Sequence, residues 1–497
     1  MLLAVSVTVY LVIVIVFLLF QSVSQKYKER SHLPPGPRPL PFIGNLHQLN
    51  TSGIVASLKA FSEKYGPVYT VHLGLRQVVI LCGYDAVKEA LVDQAEQFSG
   101  RGPTPTLGMV LKDHGIILSN GSRWKELRQF TFLTFRNLGL GNKGIEGRIQ
   151  EEAFYLIEEL RHIKGLTFNP TIHISSAVSN VICSVIFGNR FDYQDEEFVE
   201  LLRLLNEAIV ISSSFWGQLY NMYSDIMDYL PGPHQRIYSC FTHLERFVER
   251  RVKINQESLN RSAPRDFIDS FLIKMEMEKQ NPSTEYFMKN LVITVLDLFI
   301  AGTETVSTTI RFGLLLLLKY PDIQEKVQEE IDRVIGRNSI VSFEDRIKMP
   351  FTDAVINEIQ RYCNLAPLGL PHMVVQDTKF REFLLPKGTE VWAVLASVLH
   401  DPSHFTDPEN FNPMHFFDET GKIKKNDAFI PFSAGKRICL GEGMARMEIF
   451  IYITTILQNF KLKSLCDPKE IDIQARFSGL ANIPVQYDIQ LISRQEH

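Results

Sequence analysis

A mainly α-helical protein with small β-sheets, tethered by an N-terminal transmembrane helix, is the fold class this sequence predicts. Three observations predict it. Apolar residues recur at helical spacing through the middle of the 497-residue chain, as they do in helices with a buried face. Strand-like stretches are short and cluster near the two ends of the sequence. Residues 1–24 carry no charged side chain and are mostly Leu, Val, Ile and Phe.

The segment 1–24 is long enough to cross a bilayer as a helix. Lys26, Lys28 and Arg30 follow it and no positive side chain precedes it. The positive-inside rule then puts the N-terminus in the lumen and the rest of the chain in the cytosol. A cleaved secretory signal is the rival reading; the length of the apolar run and the missing basic n-region stand against it. Residues 25–45 read as a basic and proline-rich linker. Pro34-Pro35-Gly36-Pro37-Arg38-Pro39 removes donors and fixes φ, which makes a stiff spacer. Residues 46–497 then form one catalytic domain.

Within that domain, apolar spacing predicts helices over Tyr84–Val92, Ile149–Arg161, Glu197–Val210, Tyr286–Lys319 and Pro321–Ile335. Val68–Leu73 and Val78–Leu81 read as a hairpin, and Phe383–Leu395 as further strands around Pro386-Lys387-Gly388. The composition, 45% hydrophobic and 22% charged with a net charge of −4, is that of a globular protein and points to no nucleic-acid partner. Six cysteines occur, at Cys82, Cys183, Cys240, Cys363, Cys439 and Cys466. None forms a C-x-x-C pair or lies at zinc-finger spacing from a His, so a disulfide framework and a structural zinc are disfavoured and a reducing compartment is favoured.

One cysteine has neighbours that set it apart. In Pro431-Phe432-Ser433-Ala434-Gly435-Lys436-Arg437-Ile438-Cys439-Leu440-Gly441-Glu442, glycines on both sides of Cys439 permit positive φ and a close approach to a flat ligand. Amides freed by the turn, and by a helix start near Gly441, can hold the sulfur as thiolate. Arg437 can reach an anionic group of the same ligand, and Phe432 would pack on the loop. The arrangement F-x-x-G-x-R-x-C-x-G resembles the cysteine loop of the cytochrome P-450 family at every fixed position. In that family the thiolate donates electron density to a haem iron, which favours O–O cleavage.

A second motif lies in the long apolar run Leu291–Lys319, interrupted by Ala301-Gly302-Thr303-Glu304-Thr305. Asp297, Glu304 and Arg311 make a second membrane span costly there. Small and polar residues within a helix cost stability, and a Thr hydroxyl can open the hydrogen-bond ladder into a groove for O₂ or water. Glu304 beside Thr305 offers an acid–alcohol pair for proton relay; an ordinary helix kink is the alternative for Thr305. The A-G-x-[D/E]-T pattern is similar to the distal helix of the same family. Asp297 reads as a structural hydrogen-bonding group, with substrate recognition as the alternative.

The resemblance implies further roles. Glu358 and Arg361 resemble the family's E-x-x-R pair, whose third partner is often an Arg; here His415, in Pro413-Met414-His415-Phe416, stands in its place. Arg101, Trp124, Arg128, His372 and Arg437 match donors to the two haem propionates, although each one singly also reads as a surface charge or a packed ring. Phe432, Gly435, Gly441 and Ala301 would flank the ring. The distal pocket would be lined by Leu107, Leu111, Ile117, Leu118, Ile209, Asp297, Ile300, Ala301, Thr305, Ala366, Leu370 and Leu480. Several of these positions are aromatic in the relatives and aliphatic or small here, which predicts a roomier pocket for bulky lipophilic substrates.

Over the whole chain the resemblance is to family 2 of the animal microsomal enzymes, through Trp124-Lys125-Glu126-Leu127-Arg128, Asp345-Arg346-Ile347-Lys348-Met349-Pro350 and Lys379-Phe380-Arg381. The run Ala301–Thr309 is especially similar to the coumarin- and nicotine-oxidising relatives. It implies the cytochrome P-450 fold, haem b (iron protoporphyrin IX) with a cysteine thiolate ligand, and a location on the endoplasmic reticulum membrane. It also implies monooxygenation by O₂, with electrons from NADPH through NADPH-cytochrome P-450 reductase and with cytochrome b5 as a further candidate donor. No nucleotide-binding glycine motif is found in the chain itself. Arg123, Lys125, Lys422, Lys424, Lys425 and Lys436 are the expected reductase patch, with a solvated charge set as the alternative. Phe215, Trp216, Leu219 and Tyr220 are candidates for membrane lipid contact, or for the core. Two other functions compete: a haem-thiolate isomerase or dehydratase, and a non-enzymatic haem-binding protein. The Glu304–Thr305 pair argues against both.

Overall fold

The structure is a computed structural model and describes residue 10 and residues 33–50, 53–139 and 143–494. The expected transmembrane segment and the basic residues Lys26, Lys28 and Arg30 lie outside the described residues, Tyr10 excepted. From Leu33 onward the proline-rich stretch is laid on the body: Thr70 N–H donates to the Pro35 carbonyl at 2.9 Å, and the buried Asn45 side chain donates to the Pro37 carbonyl at 3.2 Å. Part of the expected linker is thus edge structure of the folded domain.

Helices fill the middle of the chain as expected, around one that is apolar on nearly all sides. Met288–Lys319 is 32 residues long, and most of its side chains are buried. By length and composition it is the one helix among the described residues that would pass for a membrane span. It is buried because an all-round apolar helix needs protein on every face. Thr171–Ile186 packs along it most extensively, with Glu442–Asn459, His234–Glu257 and Pro350–Cys363 completing its surroundings. Thr171–Ile186 is itself buried on nearly all sides, which is why it shows little periodicity in the sequence.

Four of the five predicted helices keep their boundaries to within three residues. Glu196–Ser213 starts where the Asp195 side chain accepts from the Phe198 amide at 3.0 Å, an N-cap that satisfies a free donor. Pro321–Val334 starts on proline at its first position, where the missing N–H costs nothing. Lys143–His162 extends the predicted Ile149–Arg161. Tyr84–Val92 departs from expectation: an α-turn over Tyr84–Lys88 runs into a π-helical turn over Glu89–Asp93. That wider turn brings the Leu91 carbonyl up against the cysteine loop.

The strands are β1 (Val68–Leu73), β2 (Arg76–Leu81), β3 (Gly100–Arg101), β4 (His372–Met373), β5 (Thr378–Phe380), β6 (Phe383–Leu385), β7 (Glu390–Ala393), β8 (Phe460–Lys463), β9 (Ala475–Ser478), β10 (Asn482–Pro484) and β11 (Gln490–Ser493). The predicted hairpin is antiparallel, with Val68 opposite Leu81. The largest sheet runs β1-β2-β7-β4-β3. It joins segments far apart in the chain: β2 pairs β7 in parallel, with Val79 beside Val391, and β4 pairs β3, with His372 beside Arg101. That last pairing brings two of the expected propionate donors together.

Candidate active site

An internal cavity of about 350 Å³ separates the cysteine loop from the central helix. Ala301 and Thr305 are exposed in the middle of an otherwise buried helix, and the Cys439 residue is exposed on the loop. All three line this one cavity, so their exposure is to the cavity space. Ala301, Thr305 and Thr309 recur every fourth residue, one face of the helix, while Phe432, Gly441 and Cys439 stand on the loop wall.

The loop geometry is set by two residues on either side of Ala434. Ser433 and Gly435 both have positive φ, at 64° and 72°. A Cβ on Gly435 would lie 1.7 Å from the Leu91 carbonyl oxygen, so the loop needs glycine for both conformation and space. Gly441 differs from expectation: its φ is −90° as the residue before helix Glu442–Asn459. Its contribution is its amide, which with that of Glu442 faces the Cys439 sulfur. Burial pushes the Cys439 thiol up, while those amides and the Arg128 charge pull it down. Cys363 also lines the cavity, but its thiol donates to the Gln360 carbonyl at 3.7 Å and burial pushes it up to about 12.

Cations gather at one edge. Arg101 donates to the carbonyls of Ile117 at 3.1 Å and Leu370 at 3.1 Å. Arg437 donates to the carbonyls of Ser99 at 2.8 Å and Ser119 at 2.8 Å, and stacks 3.8 Å over the Trp124 ring. Arg128, one turn beyond Trp124 in helix Gly121–Asn137, donates to the Ile438 carbonyl. Asn120, which the sequence reading passed over, organises this edge by accepting from the Arg101 amide at 2.6 Å and from Arg437 at 3.2 Å. Among the described residues none of the three guanidiniums has a carboxylate partner. Burial and mutual repulsion therefore hold Arg101 down at about 10 and Arg437 at about 8. His372 Nδ1 bonds to the Phe98 carbonyl at 2.8 Å, and burial with Arg101 pushes the ring down to about 3.

The cytochrome P450 family profile matches residues 34–491. The chain belongs to the cytochrome P450 family. Its sequence is 54% identical to human cytochrome P450 2A6 over 486 residues, covering 98% of each chain. It is likewise 54% identical to rabbit cytochrome P450 2G1 over 487 residues, covering 98% of this chain and 99% of the relative. Human cytochrome P450 2A13 is 55% identical over 477 residues, 96% of this chain and 97% of the relative. These likenesses place it in animal family 2. A cytochrome P450 is a haem-thiolate monooxygenase, and the cavity fits that group. It offers a thiol on one wall, small and hydroxyl side chains on the other, and buried guanidiniums bonded only to neutral carbonyls at the rim. A dianionic edge is what such a rim lacks.

The structure separates the expected pocket residues of this cytochrome P450 into three groups. Ile117, Asp297, Ala301, Thr305, Ala366 and Leu370 line the cavity. Leu107, Leu111, Leu118, Ile209 and Ile300 do not; they interlock in the main hydrophobic core. Leu480 lines a separate, smaller cavity with Gln218 and Leu368. Ile116, Ile182, Val306, Leu395 and Ala445 line the cavity instead; they lie in ordinary apolar runs, and nothing in the sequence singled them out.

Asp297 makes the expected structural bonds, its Oδ2 accepting from the amides of Ile116 at 2.6 Å and Ile117 at 3.0 Å, and it lines the cavity as well. Burial pushes its carboxyl up to about 7 against those two bonds. Glu304 is buried away from the cavity and pairs with Arg311 at 3.2 Å. Thr305 Oγ1 donates to the Ala301 carbonyl at 2.7 Å. The acid and alcohol are thus consecutive but turned to different surroundings. The Glu358–Arg361 pair is fully buried, and His415 supplies the third contact that the sequence left in doubt. Its Nδ1 lies 3.1 Å from Glu358, its Nε2 bonds to the Thr406 carbonyl, and Arg361 donates to Glu358 at 2.7 Å.

On the surface, Arg123 pairs with Glu285, Lys425 with Asp427 and Lys436 with Glu96. Lys125, Lys422 and Lys424 are exposed. Phe215 and Trp216 are exposed as well, whereas Leu219 is half-buried and Tyr220 is buried, stacked on His234 and bonded to Asp228 at 2.6 Å. Of the four candidates for lipid contact, Tyr220 is therefore core.

Proposed function

We propose that this cytochrome P450 inserts one oxygen atom from O₂ into a lipophilic small molecule, such as a xenobiotic, steroid or fatty acid. Electrons would come from NADPH through NADPH-cytochrome P-450 reductase at the endoplasmic reticulum membrane, with cytochrome b5 as an auxiliary donor. The observation that carries this reading is the opposition of Cys439 to Ala301 and Thr305 across one cavity with a cationic rim. When bound there, haem b supplies the two-electron activation of O₂. Cys439 would supply the thiolate ligand, with the amides of Gly441 and Glu442 and the Arg128 charge favouring the anionic form against burial. Arg101, Trp124, Arg128, His372 and Arg437 would hold the two propionates. His372 Nε2 donates only as imidazolium, since Nδ1–H is committed to Phe98, and an anion beside it favours that form.

Small Ala301 leaves room over the ring, and the apolar walls exclude water and favour lipophilic substrates. Thr305 presents a hydroxyl to that space, and Glu304, its neighbour in sequence, is the acid that would feed it a proton. Exposed Lys125, Lys422 and Lys424 form the part of the basic face free to meet an acidic reductase. Phe215 and Trp216, with exposed Ile226, Tyr229 and Leu230 beyond them, form the apolar surface that rests on lipid.

Purified protein with reductase and NADPH, given a panel of steroids, fatty acids and aromatic xenobiotics, should yield singly oxygenated products. Conversion of a lipid peroxide without NADPH, and no oxygenated product with it, would favour an isomerase instead. Cys439→Ser should abolish the red-shifted carbonyl Soret band of the reduced protein. A variant that kept this band would move the ligand to another residue.

A further inference from the structure

The helix that follows the cysteine loop begins on an acid. Glu442 is the first residue of helix Glu442–Asn459, where a negative side chain complements the free amides of a helix start. The same position sets that carboxylate against the Cys439 sulfur, three residues back. The Glu442 amide favours an anion at the sulfur, whereas the Glu442 side-chain charge opposes one. Helix start and thiolate thus make contrary demands on one residue.

Arg446 lies one turn further along the helix, and its Nε donates to Glu442 Oε1 at 3.0 Å. Both side chains are half-buried. The guanidinium carbon also stands 4.9 Å from the centre of the Phe432 ring and 5.6 Å from that of Phe429, within the range of cation–π attraction. The Phe432 carbonyl accepts from the Cys439 amide at 3.0 Å, and Phe429 packs edge-on against buried Phe416 at 4.9 Å. One side chain therefore touches both flanks of the cysteine loop, Phe432 before the sulfur and Glu442 after it. Two further charges bear on this set. Arg128 donates to the Ile438 carbonyl and favours an anion at Cys439. Asp353, in helix Pro350–Cys363, feels the Arg446 charge but pairs with Arg346 at 3.7 Å. Among the described residues, Glu442 is the one carboxylate paired with Arg446.

We propose that Arg446 is a positioning residue for the thiolate: held on Phe432, it offsets the Glu442 carboxylate beside Cys439 and so raises the potential at which the iron bound there takes an electron. This rests on Cys439 holding the haem iron. An electron added near an uncompensated carboxylate is disfavoured, because like charges repel most strongly where solvent is excluded. Glu442 and Arg446 are the two ends of one dipole, and they act on the iron in opposite directions. With both present, the helix keeps its acidic start and the loop keeps a nearly neutral flank.

The midpoint potential of the holoenzyme, read by reductive titration with mediator dyes and without reductase, tests this. Arg446→Met should lower the potential and Glu442→Gln should raise it. The double variant should return close to wild type, and Arg446→Lys, which keeps the charge, should stay close to it. An unchanged potential in Arg446→Met overturns the proposal. Single variants that shift it in the same direction also overturn it, since a loop loosened by either change would do that. Arg446→Lys as low as Arg446→Met would place the effect in ring stacking and overturn the role of charge. An intact red-shifted carbonyl Soret band in each reduced variant shows that the site has folded. If Arg446→Met lacks it, Glu442→Gln and Arg446→Lys, which nearly conserve volume, decide the matter. A wild-type holoprotein without that band would instead remove Cys439 as the ligand, and with it the reading on which the proposal stands.

Discussion

Gly435 shows how much a single residue can be asked to do. Its φ of +72° is one that side chains rarely adopt, and a Cβ there would meet the Leu91 carbonyl at 1.7 Å. The conformation alone costs roughly 1–3 kcal/mol in any other residue, and the clash adds to it. Gly435→Ala should lower the thermal midpoint and the haem content together; normal haem absorbance at an unchanged midpoint would show that the loop shifts freely. Asp297 gives a pH signature at the same scale. Its carboxyl is raised from 3.8 to about 7 in the folded chain. Between those values the folded state binds more protons than the unfolded one, so stability declines as pH rises, by at most roughly 4 kcal/mol. Asp297→Asn keeps an acceptor for Ile116 and Ile117 and cannot ionise. Its unfolding midpoint should therefore fall less than that of wild type between about pH 5 and pH 7.

At the scale of the element, the central helix carries an apolar composition and a polar centre in conflict. The conflict is resolved by tertiary partners. Glu304 and Arg311 are each about 6% exposed and paired at 3.2 Å. Removing one member of a buried pair strands the other, at a cost of about 3–5 kcal/mol. Arg311→Met should therefore destabilise the protein by about that amount. The double variant Glu304→Gln with Arg311→Met should recover part of it, because no stranded charge remains. A double variant as unstable as the single one would place the loss in packing. The motif and length of this helix were legible from its sequence. The face on which Glu304 lies was not, because two consecutive residues of a buried helix differ only in what surrounds them.

For the whole molecule, the proposed docking of a reductase on the cysteine side would be set by surface charge there. Three of the six expected cations are engaged by acids of the same chain, which leaves Lys125, Lys422 and Lys424 as the freer set. Lys125→Glu should slow NADPH-dependent turnover several-fold at low ionic strength, with the difference shrinking as salt screens it. Turnover that ignores both salt and the reversal would take the docking site elsewhere. The fold was legible at this scale as far as helices in the middle and strands at the ends. The sequence did not show which strands pair: β2 and β7 meet across more than 300 residues, with Val78 beside Glu390. Pairings at such separation leave no local signal.

By itself, the sequence determined the cysteine loop, the A-G-x-E-T break in the long helix, the hairpin and the starts of four of the five helices it delimited. Glycine conformation, proline caps and apolar periodicity act within a few residues, so they can be read within a few residues. The tertiary structure alone decided which side chains became the cavity wall. It made core of Leu107, Leu111, Leu118, Ile209 and Ile300, and made wall of Ile182 and Ala445. It also decided that His415 reaches Glu358, that Arg437 is held by Ser99 and Asn120, and that Asn206 touches Glu304. Each of these depends on distances between segments far apart in the chain, and packing sets such distances where local preference cannot.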